Sequence, residues 1–203
     1  VSASFSVIIP TLGRSTLRAM LASIAGQDLG ASDEVLVIGD GPQPAAELLA
    51  RDLGPPFRYL EGPLEHAFGD PQREYGMARA RGDYLLFADD DNAYLPGAFA
   101  AIRAAALVFA DRPLIFRVRF LSGEIAPSAP RLNCGDFDTA CGIWPNRSDR
   151  LSAWGHCYTG DYVFARQTLD LYPDRDRSAV WRSEIIAVHR PHLAPTDSMG
   201  ANA

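Results

Sequence analysis

Four short β-rich runs alternate with three helical patterns over the first ninety residues, and this alternation constrains the fold more than any other feature. "SFSVIIP" stops at Pro10 as a buried parallel strand does. "STLRAMLASIAGQ" spaces Leu17, Met20, Leu21 and Ile24 along one face of a helix, with Ser15 or Thr16 to cap it and Gly26 to stop it. "DEVLVIGDG" predicts a second strand turning at Gly39-Asp40-Gly41, "PAAELLARDLG" a second helix ending on Gly54, and "FRYLEG" a third strand. "QREYGMARARG" reads as a third helix and "DYLLFA" as a fourth strand. Strand and helix in strict turn predict an α/β fold with a doubly wound, mostly parallel sheet. The 203 residues suffice for a single domain with one substantial core.

Open α/β sheets bind their ligands beyond the carboxyl ends of the strands. Three such ends carry Pro10-Thr11, Asp40 and the triplet Asp89-Asp90-Asp91. Adjacent carboxylates repel one another and are costly unless something positive meets them. Mg²⁺ or Mn²⁺ would do so, since hard cations choose carboxylate oxygens and usually keep a substrate phosphate as a further ligand. In the bland alternative, Asp91 or Asn92 caps a helix starting near Pro96 and the other acids are solvated. One cap does not need three acids. The residues after the first strand, "PTLGRSTLR", lack the GxGxxG of a dinucleotide-binding domain, and no GxxxxGK[ST] occurs. Pro10-Thr11 also stands where a haloacid-dehalogenase-type phosphatase would need its aspartate nucleophile.

A net charge of −6 with no basic stripe argues against a nucleic-acid groove. The basic residues are arginines, which suit phosphate clamping. No apolar stretch approaches the roughly 18 residues a membrane span needs, and "VSASFSVIIP" has no basic n-region, so a cytoplasmic setting is expected. Cys134, Cys141 and Cys157 are odd in number and lack CxxC spacing, which predicts buried free thiols.

"SVIIPTLGR", "VLVIGDG" and "ARGDYLLFADDDNAYLP", in that order, resemble the donor-site motifs of family 2 glycosyltransferases with the GT-A fold. The resemblance runs from Ser4 to about Arg112 and implies a donor-binding half over residues 1–112, with an acceptor-binding and catalytic half of the same domain over 113–203. It implies that Pro10, Thr11 and Asp40 hold the donor's base, the Asp40 carboxylate accepting from a ring N–H such as that of uracil. Asp89 would lie near the ribose and the metal, Asp90 within the donor site, and Asp91 would be the surest metal ligand. Arg73 would face the diphosphate, with Arg79 and Arg81 as close alternatives. Gly39 departs from the family, which keeps an acid there, and this leaves base identity open.

The second half is less legible. "PLIFRVRF" predicts a strand, the 126–148 stretch a loop-rich excursion, "YTGDYVFARQTLDLYP" an amphipathic helix with Phe164, Leu169 and Leu171 as apolar positions, and "SAVWRSEIIAVHRPH" one or two short strands. The resemblance implies that Asp161, at the start of that helix, is the base that deprotonates the acceptor hydroxyl. A helix-capping or first-turn acid is its bland reading. Asp136, Asp138 and Glu184 are rival bases. His189 would supply a further metal ligand, with His192 and His156 as alternatives, while His66 reads as structural. Trp154 and Tyr158 would contact the acceptor, although an aromatic residue there is more often core.

Together these features imply a metal-dependent, inverting glycosyltransferase using Mn²⁺ or Mg²⁺ and a nucleotide-sugar, with a UDP-sugar as the default donor over GDP- and dTDP-sugars. A soluble acceptor or a partner protein is expected rather than a lipid-embedded substrate, and the chain leaves room for a homodimer. A nucleotidyltransferase would need a Gly-rich, lysine-bearing loop after the first strand, of which "TLGRSTLR" is a poor version. A catalytically inactive GT-A-like binding module would keep the fold and lose the base.

Overall fold

Phe5–Thr11 forms strand β1, and all seven of its residues are buried, as a strand covered on both faces requires. Helix α1 (Leu17–Ala25) follows with Leu17, Met20, Leu21 and Ile24 turned inward, the four positions predicted by their spacing. Then come β2 (Glu34–Asp40), α2 (Pro44–Leu53), β3 (Phe57–Gly62), α3 (Asp70–Met77) and β4 (Tyr84–Phe87). Pro44 opens α2, where its missing N–H costs nothing, and Gly54 closes it with a positive φ of 68°. The computed structural model describes residues 3–173 and 179–190.

β1 pairs in parallel with β2 on one side and β4 on the other, and β3 adds in parallel beyond β2. The chain winds outward from β1 through β2 to β3, then returns to place β4 on β1's opposite flank. That reversal is the topological switch point, and it opens a crevice at the carboxyl ends of β1 and β4.

The remaining elements are β5 (Asn92–Tyr94), α4 (Ala98–Val108), β6 (Leu114–Arg119), β7 (Ile125–Ala126), β8 (Gly142–Pro145), α5 (Gly160–Asp170) and β9 (Val180–His189). They extend one mixed sheet in the order β3-β2-β1-β4-β8-β6-β9-β5, with β7 on β6. β8 runs antiparallel to both β4 and β6, whereas β6 and β9 are parallel. The sheet is thus parallel in its first half and mixed in its second, within a single α/β domain.

Four sequence expectations change here. The 126–148 excursion contains β8, whose Trp144 is fully buried against Phe164. Of the one or two short strands expected in the closing segment, a single strand forms, and it is ten residues long. Neither Asp91 nor Asn92 caps α4: Asn92 starts β5, and Gly97, with a left-handed backbone, precedes α4. Leu171 lies just past α5 and is exposed, while Phe164 and Leu169 are buried as expected.

Candidate active site

A cavity of about 370 Å³ opens at the switch point, lined by residues from the ends of β1, β2, β4 and β9 and from the starts of α3 and α5. Its floor is the acidic triplet. Asp89, Asp90 and Asp91 follow β4, and each carboxylate meets an arginine, with Arg14 reaching both Asp90 and Asp91. Arg73 of α3 bonds Asp89, Arg14 approaches Asp90 at 3.4 Å, and Arg190 donates its Nε to Asp91 at 3.0 Å. The Arg190 amide also donates to the Asp91 carbonyl at 3.1 Å, so the end of β9 grips the acidic loop twice.

Arg73 is almost wholly buried, and its second guanidinium nitrogen donates to Asp70 at 2.9 Å. Asp70, the first residue of α3, in turn accepts the Cys157 amide at 3.2 Å. The chain from Asp89 through Arg73 and Asp70 to Cys157 ties the triplet to the loop that enters α5. Gly160 makes this approach close: a Cβ there would sit 2.3 Å from Asp70 Oδ2. Burial pushes the Asp70 carboxyl up, against the pull of Arg73 and the Cys157 amide.

Asp161, in the first turn of α5, opens into the same cavity. Its Oδ1 accepts the Tyr162 amide at 2.7 Å. Burial, together with the Asp89 charge, raises its pKa to about 6 despite that hydrogen bond and the nearby Arg73. The cavity therefore holds a cluster of carboxylates, a set of arginines and one further carboxyl poised near neutrality, a combination suited to moving a proton beside a phosphate ester.

The glycosyl transferase family 2 model matches residues 6–108. The chain belongs to glycosyl transferase family 2. Its fold is similar to that of S. aureus TarS: over the crystallised 1–349 fragment the TM-score is 0.71 at 18% identity, covering 92% of this chain and 60% of that one. Against a longer TarS structure the TM-score is 0.73 at 17% identity, covering 92% of this chain and 36% of that one. TarS 1–349 in complex with UDP-GlcNAc gives 0.67 at 16% identity, covering 91% and 58%. The chain thus spans about three fifths or less of these proteins. No curated protein matches it in sequence.

As a family 2 glycosyltransferase domain, the molecule gathers most of the predicted site residues. Pro10, Thr11, Asp40, Arg73, Asp89, Asp90, Asp91, Tyr158 and Asp161 all line the cavity. Several do something more specific than expected. The Thr11 hydroxyl donates to Asp90 Oδ2 at 2.6 Å, positioning that carboxylate, whose pKa burial raises. The two oxygens of Asp40 accept the Glu65 and His66 amides at 2.9 and 3.0 Å, and the His66 ring lies 3.1 Å away, so Asp40 also folds the loop over its own strand end. Gly39 has a local reason: any Cβ there would meet the Tyr59 hydroxyl at 2.3 Å.

Two predicted residues lie elsewhere. Trp154 is only 4% exposed, with its ring stacked on Phe164 at 4.5 Å and the Arg73 guanidinium 4.7 Å above it. It supports Arg73 from the core and presents no ring to the cavity. His189 packs edge-on against Phe120 at 5.1 Å and does not line the cavity; the next residue, Arg190, enters in its place. Of its alternatives, His156 pairs with Glu74, and His192 lies outside the described residues.

The rival residues have partners of their own. Arg79 lies on the Tyr75 ring, Asp136 binds the Ser128 amide and hydroxyl, and Glu184 pairs with Arg182. Asp138 is buried behind the cavity, where it accepts the Ala140 amide at 2.8 Å and the Asn92 side-chain amide at 3.2 Å. Burial and the neighbouring Asp89 lift its pKa to about 7. The three cysteines carry no disulfide, although Cys134 is exposed rather than buried.

Arg14, Arg190, Asp70, His66 and Phe68 line the cavity without having been singled out as site residues from sequence. Arg14 stands two residues after the Pro-Thr motif's leucine, and a strand-end arginine facing an acidic triplet was the only signal available for it.

Among the described residues no three His, Cys, Asp or Glu side chains converge as a metal-holding group. The donor set still suits a hard cation in part. Arg73 occupies Asp89 Oδ1, while Arg190 and Arg14 occupy Asp91 Oδ2, leaving one oxygen on each carboxylate without a partner among the described residues. Two protein oxygens completed by phosphate and water match the way Mg²⁺ is usually held.

Proposed function

We propose that this glycosyltransferase moves a sugar from a UDP-sugar to an acceptor hydroxyl, with inversion at the anomeric carbon and with a divalent metal. The carrying observation is the opening of Asp161 into the same cavity as the acidic triplet, with its carboxyl near neutral. TarS structures in complex with UDP and with UDP-GlcNAc, which share this fold, support the choice of donor.

Asp161 takes the proton from the acceptor oxygen as that oxygen forms its bond to the anomeric carbon. The bond from that carbon to the diphosphate oxygen breaks, and its electron pair leaves with the UDP. Arg14 and Arg190, each half-exposed at the mouth, turn from the triplet toward the departing diphosphate, whose charge they meet as planar donors. Arg73 stays fixed between Asp70 and Asp89 and holds the triplet's geometry. A metal held by the free oxygens of Asp89 and Asp91 would supply further charge neutralisation to the leaving group. Asp40 and the His66 loop bound the end of the cavity where the base would lie.

Among the described residues no helix is long and apolar enough to cross a membrane. The unpaired cysteines favour a reducing, cytoplasmic setting.

The test is a calorimetric titration of UDP, GDP and dTDP, with and without Mn²⁺, against the wild type and Asp91→Ala. UDP binding that needs both the metal and Asp91 is expected. Binding that ignores both removes the metal from the reading. Absence of any nucleotide binding removes the donor site and favours an inactive binding module.

A further inference from the structure

Two exposed aromatic rings stand at the cavity mouth: Tyr158, expected from sequence as an acceptor contact, and Phe68, which was not. Phe68 is 62% exposed and Tyr158 is 84% exposed, yet both line the cavity. They come from different parts of the chain, Phe68 just before α3 and Tyr158 just before α5, and their rings meet edge to face at 5.9 Å and 78°. Phe68 has a left-handed backbone (φ 56°), as does His66 beside it (φ 51°). A bulky apolar residue held outward in that conformation is unusual, and such conformations cluster where ligands are clamped.

The corner formed by the rings adjoins the base. Tyr158 precedes Asp161 by three residues at the same loop-to-helix junction, and both line the cavity. The same cavity is also lined by the polar side chains of Asp70, Asp161 and Thr139. A flat apolar face beside hydrogen-bonding carboxyls matches a pyranose ring, which has C–H bonds on its faces and hydroxyls around its edge. An acyclic polyol or a peptide hydroxyl has no such face.

Resting on the glycosyl-transfer reading, we propose that the acceptor is itself a carbohydrate, and that Tyr158 stacks on its terminal ring while Phe68 closes the corner. The rings are nearly perpendicular, so only one can stack on a given sugar face. Tyr158, the more exposed, takes that part. The acceptor side thereby selects for a cyclic sugar before its hydroxyl reaches Asp161.

The experiment is saturation-transfer NMR on the whole chain with methyl glycosides of glucose, N-acetylglucosamine, galactose and mannose, using glycerol and ribitol as acyclic controls. UDP binding is followed in parallel by calorimetry. At least one glycoside is expected to bind with saturation strongest on its ring C–H protons. Binding should weaken more than fivefold in Tyr158→Ala and about threefold in Phe68→Ala, and persist in Tyr158→Phe, with UDP affinity unchanged within twofold. Glycoside binding that depends on these rings in a protein that fails to bind UDP supports the sugar corner and sinks the donor reading instead. The proposal is overturned if no glycoside binds, if the alanine variants bind as the wild type does, or if glycerol and ribitol bind equally well.

Discussion

Replacing Asp138 by asparagine should stabilise the protein, and the gain should grow with pH. Asp138 is 6% exposed and sits behind Asp89, Asp91 and Asp161, all of which oppose its charge. Its pKa rises from the ordinary 3.8 to about 7. Between these values the folded protein keeps the proton while the unfolded chain has released it, so the folded state binds more protons and stability falls as pH rises. The loss is absent near pH 4, grows by about 1.4 kcal/mol per pH unit and is complete above pH 7, where it reaches about 4 kcal/mol at most. An asparagine keeps Oδ1 to accept the Ala140 and Asn92 amides and never ionises. Asp138→Asn should therefore match the wild type at pH 4 and exceed it by about 2–4 kcal/mol at pH 8, a rise in melting temperature of about 2–4 °C per kcal/mol for a domain of this size. Urea unfolding of both proteins at pH 4, 6 and 8, with EDTA present, reads the difference directly. A difference that does not change with pH, or a variant less stable at pH 8, refutes the assignment of a buried, protonated carboxyl.

Three further outcomes follow from the same cluster. Since the Asp161 pKa is raised to about 6 and the base must be ionised to accept a proton, turnover should fall about tenfold per pH unit below that value. Asp161→Asn should abolish this limb and cost about 10²- to 10⁴-fold in kcat with nucleotide affinity unchanged, as read from a pH–rate profile and a parallel UDP titration. Removing Arg73 should leave Asp70 buried without its cation, and Arg73→Ala should lose about 3–5 kcal/mol in chemical denaturation.

The sequence by itself determined the first half of the fold and the location of the strand-end motifs. Periodicity there is local: the four inward residues of α1, the fully buried β1 and the Gly54 stop of α2 are properties of a few consecutive residues. The order of strands and helices then forces Thr11, Asp40 and the triplet to one sheet edge. It also gave reason to look at Asp161, because an acid at a helix start is visible in a short window. What each side chain does was decided only by tertiary structure, because partners far apart in the chain set it. Arg190 meets Asp91 and Tyr158 meets Phe68 across about 90 residues or more, and no local pattern encodes either pairing. For the same reason Trp154, read as an acceptor contact, is occupied by Phe164 and Arg73, and the antiparallel strand β8 went unseen within a loop-rich stretch. Burial and the crowding of charge at the switch point depend on packing, and they raise the Asp138 and Asp161 pKa values toward neutrality.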